Sequence, residues 1–176
     1  MHASRCALAP PAAVALAAAL FATLATLAPL SDAAAAAPID WKGAVTWQTW
    51  DAGLARATKL QQPILLVVYA DWCPKCRAIV PVFADKVFGK LQKRAVMVLQ
   101  NHDDKPDWLE RKFGAWGSYV PRIFLLSPTG EVWADLNSGH PRYPMFYTPG
   151  KKDLIVANIE KAIARARPKA ARKGRK

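Results

Sequence analysis

Residues 64–70, Ile-Leu-Leu-Val-Val-Tyr-Ala, lead directly into Asp71-Trp72-Cys73-Pro74-Lys75-Cys76, and no other stretch limits the fold so much. An unbroken apolar run of strand length, rich in β-branched residues, reads as a strand buried on both faces. Such a strand needs helices over both sides of its sheet. Beyond the cysteines, Ile79, Val80, Phe83 and Val87 recur at helical spacing, so a helix opens at the cysteine pair. Pro74 suits the first turn of that helix, where its missing N–H costs nothing, and Pro81 sits mid-helix and should kink it.

The rest of the chain supplies the partners. Residues 39–45 read as a linker or a short edge strand. Trp47, Trp50, Leu54 and Ala57 predict an amphipathic helix over 47–60, with Thr46 as a candidate N-cap and Pro63 beyond its end. Residues 95–99 form a second buried strand, and 107–113 a short helix with Asp107 near its start. A third strand, 123–126, turns at Ser127-Pro128-Thr129-Gly130 into a fourth, 131–134. An irregular segment over 137–150, rich in Gly and Pro, precedes a closing helix over 153–163 through Leu154, Ile155, Ile159 and Ala162. The order α–β–α–β–α–β–β–α predicts an α/β domain over 46–164, a mixed central sheet flanked by helices. No internal repeat interrupts it.

The ends of the chain speak to compartment and charge. Arg5 precedes an apolar run over 12–30 and a small-residue stretch over 33–37. That order is a secretory signal peptide over 1–37 with an Ala-x-Ala cleavage site, and Pro38 places the cut one or two residues before Ala37. The competing reading is an uncleaved membrane anchor; the run nearly reaches spanning length, but Pro10, Pro11 and Pro29 interrupt it. Cys6 leaves with the signal. Lys173-Gly174-Arg175-Lys176 is not a retention signal, so a bacterial periplasm or secretion is the expected destination. Residues 165–176 hold seven basic residues and no acid, out of a net charge of +12. They read as a disordered basic tail that solubilises the chain or contacts anionic surfaces. No aromatic residue interleaves there, so specific nucleic-acid binding is not expected.

Two cysteines remain after export, too few to staple a scaffold. Held by the first turn of a helix, a Cys-x-x-Cys pair brings two sulfurs within reach of one ring closure. Cys73, facing the unsatisfied N–H groups and positive dipole end, should be the exposed nucleophile, and Cys76 the resolving thiol. Lys75 adds a positive charge favouring thiolate. Zinc uses the same spacing but needs four ligands; only His102 and His140 remain, neither at ligand-like spacing, so no metal is expected. Covalent haem needs His at position 77, which is Arg. No cofactor is expected. An inert buried pair is disfavoured by the Trp72-Cys73-Pro74 opening.

A strand followed by Trp-Cys-x-x-Cys at a helix start resembles the thioredoxin family, whose fold is a three-layer sandwich. Pro81, five residues past the second cysteine, matches that family's helix proline, and Val120-Pro121 matches its cis-proline beside the cysteines. That resemblance implies a Val120 backbone free to pair with an extended substrate, with Trp72 as part of the platform. Residues 117–132 and the Tyr143-Pro144-Met145-Phe146-Tyr147 stretch look like the small single-domain thioredoxin proteins of the endoplasmic reticulum, the anterior-gradient group. One departure stands out. Thioredoxins place a buried Asp six residues before the first cysteine, where this chain has Val67; Asp71, expected at the strand's exposed end, is the nearest acid.

The sequence thus points to an exported thiol–disulfide oxidoreductase acting on proteins with cysteines or disulfides, with a redox partner at the membrane. The alternative is a thioredoxin-fold binding or chaperone module, separable by a double Cys→Ser variant. Trp47, Trp50, Trp108, Trp116 and Trp133 read as packing, and His102 as part of a solvated loop. Tyr143, Phe146 and Tyr147 read equally as peptide contacts or as loop anchors.

Overall fold

A computed structural model of the protein describes residues 37–167. The signal-peptide reading, Cys6 and the basic tail beyond Arg167 lie outside the described residues. Strands β1 (Ile64–Tyr69), β2 (Val96–Asn101) and β3 (Arg122–Leu126) form one mixed sheet in the order β2-β1-β3. β1 runs parallel to β2, with Ile64 opposite Val96, and antiparallel to β3, with Ile64 opposite Leu126.

Its central place explains its unbroken apolar sequence. Side chains alternate across a strand, so both faces of β1 need apolar residues. Leu65 and Val67 face a core shared with α2 (Pro74–Phe83), α3 (Lys86–Leu91) and α5 (Lys152–Ala166). Ile64, Leu66 and Val68 face the opposite core, built with α1 (Trp50–Leu60) and α4 (Asp107–Phe113). All five are completely buried, each contributing about 1.5–3 kcal/mol of hydrophobic stabilisation. The expected α/β arrangement, a mixed sheet between two helical layers, is what forms.

Five local expectations need correction. The first helix starts at Trp50, with Thr49 at the N-cap position, and not at 47 behind Thr46. The Gln48 backbone is already bound to the β2 edge, its N–H 2.9 Å from the Met97 oxygen and its C=O 3.1 Å from the Leu99 nitrogen. Trp47 and Trp50 consequently enter opposite cores. The helix after the cysteines contains Pro81 but ends at Phe83 and does not reach Val87. Asp85 accepts from the Val87 N–H at 2.9 Å and so caps a separate helix, α3. Residues 131–134 contribute a single bridge, Leu126 with Val132, because the Leu136 N–H turns back to the Trp133 oxygen at 2.9 Å.

The fourth concerns residues 38–45, which are neither a free linker nor a strand. Ile39, Trp41 and Val45 are buried, and Trp41 packs edge-on against Trp47 and Tyr69 at 5.6 and 5.1 Å. At the other end the helix runs past the expected domain boundary at 164. Arg165 lies within α5, paired through both terminal nitrogens with Asp135 and stacked over Trp133.

Candidate active site

The junction of β1 and α2 carries the chemistry. Cys73 is the N-cap of α2, with Pro74 next and Cys76 one turn in. The Cys73 sulfur takes the role a serine or aspartate oxygen fills at other N-caps, accepting from the Cys76 N–H at 3.2 Å. The Cys73 Sγ–H in turn donates to the Val120 carbonyl at 3.6 Å, and the Val120–Pro121 bond is cis. Both thiols are free.

Cys73 was expected to be exposed, and it is not: only 3 % of its surface meets solvent, against 0 % for Cys76. The Val120 carbonyl, brought across just before β3, lies against its sulfur. Burial, reinforced by the side-chain bond with Cys73, pushes the Cys76 thiol up to about 12; the Asp71 charge adds to this, while a bond from the Ala70 backbone opposes it. Val67, standing where the resembled family has an acid, is completely buried in the same core as both cysteines.

Asp71 is not at an exposed strand end either. Its carboxylate accepts from the Ile39 N–H at 2.7 Å and from Asn101 Nδ2 at 2.9 Å, which ties the 37–45 segment and the end of β2 to the site. Arg77, one turn into α2, donates to the carbonyls of Asp71 and Ala37. Trp72 is 58 % exposed beside Cys73, and its indole N–H donates to Asp103 at 2.8 Å. Lys75 is exposed. The His102–Asp104 stretch is a short 3-10 turn and not an open loop, and the His102 Nδ1 is buried without a partner.

The structure therefore gathers Asp71, Trp72, Cys73, Cys76, Val120 and Pro121 at one end of the sheet. Asn101, Asp103 and Arg77 are additions that sequence reasoning missed. Asn101 and Asp103 had a topological signal, since the loops after adjacent parallel strands lie side by side at their carboxyl ends. The irregular segment divides: Tyr147 is buried, its hydroxyl bonded to the Leu136 oxygen and to Asn158 Nδ2, whereas Tyr143 is exposed and stacks edge-on with Tyr119 at 4.9 Å. Among the described residues, no three His, Cys, Asp or Glu side chains are grouped to hold a metal, and no helix is long and apolar enough to cross a membrane.

Residues 46–128 match the family described as thioredoxin-like. Those residues are similar to thioredoxin-like domains. Over 126 residues the protein is 29 % identical to anterior gradient protein 3 of Xenopus tropicalis, covering 70 % of this chain and 74 % of that one. Among solved structures, it is similar to the first thioredoxin domain of mouse protein disulfide-isomerase A4, with a TM-score of 0.49, 19 % identity and coverage of 74 % and 81 % of the two chains. A disulphide isomerase from Xylella fastidiosa Temecula1 gives a TM-score of 0.42, 21 % identity and coverage of 65 % and 86 %.

Proposed function

We propose that the protein is an exported thiol–disulfide oxidoreductase that exchanges disulfides with protein substrates through Cys73 and Cys76. One observation carries the reading: Cys73 sits at the N-cap of α2, bonded to the Cys76 N–H and facing the Val120 carbonyl beside Pro121. The similarity to thioredoxin-like domains supports it. In the reducing direction, the Cys73 thiolate attacks a substrate disulfide sulfur and releases one substrate thiolate, leaving a mixed disulfide. Cys76, once deprotonated, attacks the Cys73 sulfur; the substrate leaves with two thiols and the enzyme holds the Cys73–Cys76 disulfide. The opposite direction runs the same steps backwards, with the electron pair returning to the enzyme.

An extended substrate has a docking edge in this scheme. Among the described residues nothing accepts from the Val120 N–H, so a substrate strand pairs there and displaces the Cys73 thiol from the Val120 carbonyl. The exposed face of Trp72 lies alongside as a platform. Export, with a redox partner at the membrane, rests on the N-terminal sequence, and contact of the basic tail with anionic surfaces rests on its charge. Unchanged binding to anionic vesicles at low salt after removal of residues 168–176 would count against the tail's part.

The test is a redox titration of the mature protein in glutathione and dithiothreitol buffers, read by alkylation. A midpoint near about −270 mV marks a reductant, and one between about −180 and −120 mV an isomerase or oxidant. Cys73→Ser should abolish exchange, whereas Cys76→Ser should accumulate mixed disulfides on gels run without reductant. A pair that closes in no buffer sinks the reading.

A further inference from the structure

Arg122 directly follows Pro121 and opens β3, yet only 1 % of its surface is exposed, and it is the largest fully buried side chain among the described residues. No carboxylate pairs with it there; Glu110 acts on it only through space. Its Nη1 donates to the carbonyl of Gly117 and, at 3.4 Å, to that of Phe113. The guanidinium lies 5.9 Å from the centre of the Phe124 ring, and its Nε has no partner. A buried cation without a counter-ion is a costly placement, and an apolar side chain of similar volume would serve stability as well or better. What the guanidinium provides is a fixed hold on two carbonyls.

Those carbonyls matter through where they lead. Gly117 turns the chain with φ of +84°, a conformation that favours glycine, and three residues later the Val120 oxygen faces Cys73. The Tyr119 hydroxyl, accepting from the Met145 N–H at 3.1 Å, secures the same segment from its other side. We propose that Arg122 is a positioning residue for substrate: its grip on Gly117 and Phe113 holds the 117–120 segment in register with Cys73. This rests on the oxidoreductase reading, because the segment matters only if peptide pairs with Val120.

The test separates peptide binding from thiol chemistry. Full-length mature protein, R122M and R122K are compared on a disulfide-bonded peptide and on oxidised glutathione, which is too small to need the whole segment. For R122M the KM for peptide should rise on the order of tenfold, short of the roughly hundredfold that a 1 Å misplacement can cost. Its kcat, and its rate with oxidised glutathione, should stay within about twofold of the parent. R122K keeps a donor on a shorter stem and should recover part of the KM. A folded R122M with unchanged KM overturns the proposal, as does an equal loss on both substrates. Should R122M fail to fold, R122K decides by the same split. A parent protein that turns over neither substrate overturns the oxidoreductase reading itself, whereas an active parent with an indifferent Arg122 overturns only the clamp.

Discussion

Cys76 lies wholly out of solvent with its thiol pushed up to about 12, chiefly by desolvation. Its reactive thiolate is therefore scarce at neutral pH, and resolution of the mixed disulfide should be the pH-limited step. Deprotonation gains about tenfold per pH unit below the thiol's pKa, so the resolution rate should climb through pH 6–9 without levelling. Stopped-flow decay of a preformed mixed disulfide measures this; a plateau near pH 8–9 would show an ordinary thiol. The cysteines themselves were legible, because their spacing, Pro74 and the preceding apolar run are all local. The burial of Cys73 was not, since the Val120 carbonyl that faces it comes from 47 positions away. Asp71 escaped for the same reason: its partners, Ile39 and Asn101, lie 32 and 30 positions off.

α1 crosses β2 so closely that a Cβ on Gly53 would come within 2.3 Å of a Val98 methyl. Alanine at that position gains roughly 1 kcal/mol of helix propensity, yet overpacking a filled core costs about 1–3 kcal/mol. The clash should win, because Val98 is itself completely buried and has nowhere to turn. Gly53→Ala is expected to lower the urea midpoint at constant slope; an unchanged midpoint would mean that α1 can withdraw from the sheet. Element types were readable wherever periodicity was long, as in α5 and β1. Boundaries failed where backbone groups had distant uses. Gln48 pairs with β2 before α1 can begin, and the side chain of Asp85 starts a second helix where apolar spacing alone suggested one.

For the molecule as a whole, the largest departure from expectation is the segment before α1. A stretch with Gly43 and little periodicity reads as a linker, yet Ile39, Trp41 and Val45 complete the core beside α2, and Ile39 holds Asp71. Burial of isolated apolar residues in an irregular segment leaves no periodic trace, so sequence could not reveal it. Trp41→Ala should cost about 3–5 kcal/mol of stability in chemical denaturation. A loss below about 1 kcal/mol, the scale of a surface change, would return the segment to linker status.

The margins of the sheet have a consequence for life in a crowded compartment. β2 ends at one bridge to Gln48; along β3, Met145 takes the Ile123 N–H and Val132 bridges Leu126. Both borders are thus stoppered by short, irregular pieces of the chain, and neither offers the long row of unsatisfied amides on which foreign strands assemble. A protein proposed to exchange disulfides with other proteins would meet β-prone segments repeatedly. Plugged borders let it touch them at one backbone position without being recruited into their aggregates.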